Sequence, residues 1–280
     1  MEKLSLEARL RAEVVSFSGH ASFYANDFKG NVIAVNAHEQ FEAASAIKVF
    51  ILAEFFRQVH EGRLDRLRLL TYDKENFVTG SGLLRHLEPG TALSAENLAR
   101  MMIIISDNIA TNMLIDLLGL ENINRTIESL GFTSTTLHNK IDFDRYERLG
   151  TTTPRDYGVY FEKLREGLLI APEISREMLD VFKKQQYNRM LTKDFPQYYL
   201  DSEDTGDEEL IAVASKSGSM DAARNDGGIV FTPYGSYVIV IFTKHFKDPL
   251  YYNDHESYIY GARASRLIFN QYLALKGKFE

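Results

Sequence analysis

The chain has 280 residues, 45% hydrophobic and 25% charged, a composition ordinary for a folded protein with room for one large or two modest cores. Its net charge of -7 comes without a basic patch, which argues against nucleic acid or an anionic membrane as a partner. The absence of cysteine excludes disulfides, thiolate catalysis and cysteine-based metal sites.

The opening segment MEKLSLEARLRAEVV is charged throughout and lacks an apolar signal-peptide core. Taken as a complete product, the chain is expected in the cytoplasm; taken as a trimmed one, outside it. A short amphipathic helix is predicted at about 4–12. ASFYANDF at 21–28 and VIAVN at 32–36 alternate like strands and are joined by Lys29-Gly30-Asn31, a hairpin signal. From 45 to about 190 the apolar spacing is helical, in AIKVFILAEFFRQV, AENLARMMIII, NIATNMLIDLL and TTPRDYGVYFEKLREG. Threonines before Pro154 mark the start of the last of these. Strands return in LIAVAS at 210–215, GGIVFT at 227–232 and SYVIVIFT at 236–243, before a closing helix at about 256–275. The expected fold is α+β: an antiparallel sheet built from both chain ends, with an all-helical region inserted between its second and third strands. It reads as one domain of two lobes, a sheet lobe of 1–40 and 205–280 and a helical lobe of 41–204. Ligand sites favour the cleft between such lobes.

Three short patterns carry the chemistry. Ser45 and Lys48 interrupt the run AASAIKVF, three residues apart, so a helix would project hydroxyl and amine together. Alone this is cheap: about one Ser-x-x-Lys is expected by composition in a chain this long, and a helix start with a snorkelling lysine explains it equally well. Ser106-Asp107-Asn108 sits in a break between two apolar helices, and Lys216-Ser217-Gly218 ends a predicted strand. Each pattern occurs once, and chance accounts poorly for all three in this order. Lys48 lies among apolar residues, which lowers an amine's pKa, and Ser45 near a helix N-terminus gains from the dipole. A serine needs such a neighbouring base to become a nucleophile.

With these motifs the chain resembles the penicillin-recognising serine hydrolases, most closely the class A β-lactamase branch, whose Ser-x-x-Lys, Ser-Asp-Asn and Lys-Thr-Gly set is well known. TTTP at 151–154, KSGSMDAARNDGGIVF and GSGLLRHLEPGTALSAENLARMM add to the likeness. The resemblance implies a β-lactamase/transpeptidase-like fold and a hydrolase that forms an acyl-enzyme on Ser45. Lys48 would be its base, facing the second cation Lys216, and Ser106 would relay a proton to the leaving nitrogen. The backbone N–H groups of Ser45 and Ser219 would form the oxyanion hole. Asn108 would bond the substrate's acyl-amide side chain. Lys216, Ser217, Gly218 and Arg224 would form the end that takes the substrate's carboxylate, although a surface salt bridge is the plain alternative for Arg224. Asp107 is assigned loop capping.

The chain departs from the family in one stretch. The class A loop with Glu-x-x-Leu-Asn, whose glutamate activates the deacylating water, is absent between Leu137 and Thr151, where the sequence is HNKIDFDRYERLG. DRYE nominates Glu147 as the deacylating carboxylate, with Asp142 and Asp144 as further candidates against ordinary exposed-loop charge. Slow deacylation is therefore expected, with a non-hydrolytic β-lactam or peptide binder, a D-alanyl-peptidase or an esterase as alternatives. The seven histidines show no paired ligand spacing, so no metal is expected, and no cofactor is implied. The expected partner is a small β-lactam or acyl-peptide bearing a carboxylate, acted on by a monomer or weak dimer. The acidic stretch at 201–209 reads as a solvated loop.

Overall fold

A central strand that is apolar on both faces needs cover on both, and the YVIVIFT run supplies such a strand. The computed structural model describes residues 4–145, 148–197, 200 and 211–273. Its main sheet is antiparallel, in the order β2 (Val32–Val35), β1 (His20–Asn26), β11 (Gly235–Lys244), β10 (Ala223–Thr232) and β8 (Ala212–Ser215), with β9 (Gly218–Met220) pairing further along β10. Along β11 the side chains divide by parity. Val238, Val240 and Phe242 enter one core and Tyr237, Ile239 and Ile241 the other, as a period of two requires. The second core is closed by α1 (Leu6–Glu13) and the closing helix α8 (Glu256–Leu273), through Leu6, Leu10, Ala264, Ile268 and Phe269.

The β1–β2 hairpin turns where the sequence places it. Asp27 Oδ1 accepts from the N–H groups of Lys29 (2.9 Å) and Asn31 (3.0 Å), and Gly30 takes φ +94°. After β2 the chain leaves the sheet for the helical region: α2 (Lys48–His60), α3 (Ala95–Ile104), α4 (Asn108–Leu118), α5 (Leu120–Ser129), α6 (Pro154–Glu166) and α7 (Pro172–Phe182). Thr153 caps α6, its hydroxyl accepting from Asp156 N at 3.0 Å, with Pro154 at the first helical position. Helix α2 is buried from Lys48 to Phe56 on every side, and its Glu54 is satisfied by Arg57 (2.8 Å) and Gln58 (2.6 Å). The inserted region is not wholly helical. It also contains a pair of three-residue strands, β4 (Leu69–Thr71) and β5 (Ala92–Ser94), and a small sheet of β3 (Phe41–Glu42), β7 (Gly150–Thr152) and β6 (Thr136–Leu137). Strands β3 and β7 brace the segment that holds Ser45.

Candidate functional site

Ser45 is placed by a short strand, a tight turn and a helix in succession. Glu42 pairs with Thr151 across β3–β7, and Ala43 N donates to Gly150 O at 2.8 Å. Residues Ala44–Ile47 then form a 3-10 turn, entered through Ala44 at φ +48°, and α2 begins only at Lys48. The predicted helix start is thus corrected by one turn. Ser45 lies in the 3-10 segment, where residues three apart eclipse each other, so Ser45 and Lys48 share a line more closely than in an α-helix.

The partner strand β9 lies against this turn. A Cβ on Gly218 would stand 2.5 Å from Ala46 N, 2.7 Å from Ala43 O and 2.9 Å from Ser45 N, so only glycine permits the approach. Asn225, on β10 opposite Gly218, donates from Nδ2 to Glu42 O at 2.8 Å and ties the main sheet to the same turn.

Ser106 sits in the α3–α4 break at φ +55°, held there while Ile105 N and Asp107 N both donate to Met101 O. Asp107 is the clasp of this break: its carboxylate accepts from Ala110 N (2.9 Å), capping α4, and from Leu83 N (2.7 Å) and Leu84 N (2.9 Å) of the facing loop. Lys48 Nζ donates to Ser106 O (2.8 Å), Ser106 Oγ (3.1 Å) and Asn108 Oδ1 (2.9 Å). From the sheet side Lys216 Nζ donates to the same Ser106 Oγ at 3.1 Å and to Ser217 O at 2.6 Å. Both lysines are fully buried.

Burial, the neighbouring Lys216 and, in opposition, Asp107 set the Lys48 amine, which lies well below its usual range. Burial lowers Lys216 to about 7, against the pull of Asp226. Burial raises Asp226 to about 7, opposed by the N–H groups of Leu191 and Gly227 and by Lys216. Neither Asp226 nor Tyr157, whose hydroxyl donates to Lys216 O at 2.6 Å, is singled out by a motif. Their sequence signal is weak: a tyrosine in an apolar helix and an aspartate at the start of an apolar strand.

These groups border a cavity of about 670 Å³. Ser45, Ser106, Asn108, Ser217, Gly218 and Ser219 line it, with Lys48 and Lys216 buried behind Ser106. The remaining wall is largely apolar and aromatic, including Ile141, Phe143, Tyr187, Met190, Met220 and Tyr251. Asp142 also lines it, its Oδ1 bonded to the N–H groups of Asp144 (3.0 Å) and Arg145 (3.2 Å); Asp144 does not. Glu147 and the acidic stretch at 201–209 lie outside the described residues. The sequence gives no hint of Glu42, a half-buried carboxylate on the cavity wall, raised by burial and by Asp221 and lowered by Arg148.

Arg224 is not brought to the cavity, and its assignment to a substrate carboxylate is corrected. It alternates with Asn225 along β10 and so leaves by the other face. Fully buried, its guanidinium donates to the carbonyls of Met220, Ala223 (3.1 Å), Pro249 (2.9 Å) and Leu250 (3.3 Å), between the rings of Phe246 and Tyr251. It fixes the end of β9 and the 249–251 loop. Among the described residues the cations that do line the cavity are the exposed Arg148 and Arg189. Among the described residues no group of three His, Asp or Glu side chains could hold a metal ion, and no helix is long and apolar enough to cross a membrane.

A sheet from both chain ends, an inserted helical region and a serine–lysine cleft between them define the fold of the penicillin-recognising serine hydrolases. The chain belongs to the beta-lactamase enzyme family, whose model matches residues 5–272. Among solved structures it is similar to a beta-lactamase from Sphaerobacter thermophilus, at 28% identity and a TM-score of 0.85, covering 96% of this chain and 97% of that one. It is also similar to PBP-A, at 28% identity and a TM-score of 0.82, covering 96% of each chain. A point variant of PBP-A, 27% identical to this chain with a TM-score of 0.83 and coverage of 96% and 97%, is an acyl-enzyme complex with penicillin G. No curated protein matches the sequence.

Proposed function

We propose that the protein is a serine hydrolase that forms an acyl-enzyme on Ser45 with β-lactams or related acyl-amides bearing a carboxylate, and releases it slowly. The observation that carries this reading is the meeting of two buried lysine amines on one hydroxyl, Lys48 Nζ and Lys216 Nζ each 3.1 Å from Ser106 Oγ, behind a cavity lined by Ser45. Lys48, with its lowered amine, takes the proton from Ser45 directly or through Ser106. Ser106 passes it to the leaving nitrogen. The N–H groups of Ser45 and Ser219 hold the developing oxyanion. Asn108 orients the acyl side chain, and Lys216 and Ser217 attract the carboxylate. The apolar wall suits a bulky acyl group.

Release needs a water activated by a carboxylate. The Glu-x-x-Leu-Asn loop is missing from the sequence, and Asp142 already accepts two N–H groups of its own loop. This supports fast acylation and slow hydrolysis. The same features, with the likeness to PBP-A, also support a second reading as a penicillin-binding D-alanyl-peptidase or esterase relative. A fluorescent penicillin followed by intact mass over time tests the proposal. One adduct per chain should form, map to Ser45 and be absent from Ser45→Ala; a label that survives that substitution overturns the assignment.

A further inference from the structure

Phe41 and Glu42 make up β3 and, as successive residues of a strand, point to opposite faces. Phe41 enters the core, its ring centroid 5.7 Å from that of Phe242, and Glu42 turns to the cavity just before the Ser45 turn. Along the chain Lys48 lies on the far side of Ser45 from Glu42, bonded with Lys216 to Ser106. In the reading above, the leaving nitrogen and its carboxylate lie toward Ser106 and Lys216. The acyl half of a substrate therefore extends the other way, toward β3 and the wall that Ile141, Phe143, Leu149 and Met220 form. Among the described residues four carboxylates line the cavity, and three of them are engaged. Asp142 accepts from the N–H groups of Asp144 (3.0 Å) and Arg145 (3.2 Å), Asp226 from those of Gly227 (2.9 Å) and Leu191 (3.3 Å), and Asp221 from the Tyr251 hydroxyl. The fourth, Glu42, is held through its backbone. Asn225 Nδ2 donates to its carbonyl at 2.8 Å, and among the described residues its side chain has neither a hydrogen bond nor an ion pair.

We propose that Glu42 sets specificity on the acyl side by accepting an ammonium group carried on the substrate's acyl chain. The favoured substrates are then acyl-amides with a carboxylate on the leaving half and a cation on the acyl half, amino-acyl peptides among them. This deepens the reading of Ser45 given above and rests on it. A half-buried carboxylate without a partner is unfavourable, and a cation brought by the ligand offsets that cost. Burial raises the Glu42 carboxyl, with Arg148 opposing and Asp221 adding to the rise. Arg148 is exposed and forms no ion pair with Glu42, so water and salt screen its charge and leave the carboxylate open to a ligand. An acyl chain ending in a carboxylate is repelled at the same place.

The test is acylation of the whole chain by a matched pair of penicillins, one with an ω-amino acyl chain and one with the isosteric alkyl chain, read by intact mass in quenched reactions. Near neutral pH the wild type should be acylated roughly three- to tenfold faster by the ammonium probe, between the worth of an exposed ion pair and that of a charge-assisted hydrogen bond. Glu42→Gln should abolish the preference by slowing the ammonium probe alone. A wild type that does not distinguish the probes, or a preference that survives Glu42→Gln, overturns the proposal. So does an equal slowing of both probes in that variant, the mark of a structural effect on Ser45. If Glu42→Gln does not fold, the wild-type ratio measured against pH decides. The preference exists only while Glu42 is ionised, so it should be lost as pH falls through a range above the usual carboxylate one; Lys48 and Lys216 act on both probes alike and cancel in the ratio. A ratio unchanged down to about pH 4.5 overturns the proposal. If neither probe acylates the wild type, the acyl-enzyme reading fails, and equilibrium binding of the same two probes by calorimetry decides this one.

Discussion

Gly218→Ala adds one methyl where the structure has no room for it. The new carbon would lie 2.5 Å from Ala46 N and 2.7 Å from Ala43 O, both backbone atoms that cannot swing aside like a side chain. Ordinary contact needs roughly another ångström, so β9 and the Ser45 turn must separate. Such overpacking costs about 1–3 kcal/mol, or roughly 2–10 °C in Tm for a chain of this size. The cost to chemistry should be larger in proportion. The displaced element carries Ser219 and borders Ser45, and a shift near 1 Å at reacting groups is worth on the order of 100-fold. Gly30→Ala is the matched control. Its φ of +94° imposes backbone strain, but nothing lies within 4 Å of its Cβ and it sits in the distant hairpin turn. Both variants should melt earlier; only Gly218→Ala should acylate slowly, measured by stopped-flow with a fluorescent penicillin. Acylation by Gly218→Ala within threefold of the wild-type rate would refute the reasoning.

Lys48→Ala removes the donor to Ser106 O and Asn108 Oδ1 and the nearby base, so acylation should slow by about 10²- to 10⁴-fold at all pH values. An unchanged rate would reject Lys48 as base. Glu147→Gln should trap the acyl-enzyme if Glu147 activates water, whereas Asp142→Asn and Asp144→Asn should not; adduct lifetime by mass spectrometry separates them. Glu42 has its carboxyl raised by burial, so its ionised form weakens the fold once pH exceeds the usual carboxylate range. Glu42→Gln should therefore gain in Tm relative to wild type between pH 3 and 7, and a difference independent of pH would show that its ionisation is not coupled to folding.

The main sheet was legible because alternation and turn chemistry are local properties. The hairpin at Asp27–Asn31 and the two-faced β11 needed no knowledge of the rest of the chain. The serine–lysine site was legible because polar residues that break apolar runs stand out in a sequence. Strands β3, β6 and β7 were not, since two or three residues carry no period, yet they position Ser45. Arg224 was misplaced because the motif fixes its distance along the strand but not the face by which it leaves. Tyr157 acquires its part only when α6 packs against the strand end that carries Lys216, and no spacing announces that.

A hydroxyl has two lone pairs and one hydrogen. On Ser106 two N–H donors approach the oxygen, one from each lysine, at 3.1 Å. With both amines charged, the lone pairs are occupied and the hydrogen is all the group has left to offer. In that state the hydroxyl passes protons outward only, handing its own to the cavity and refilling from a lysine; it takes one from Ser45 when Lys48 is neutral and turns its lone pair to the Ser106 hydrogen. Direction along this relay is therefore set by the protonation state of Lys48, inward to the neutral amine and outward from the charged one.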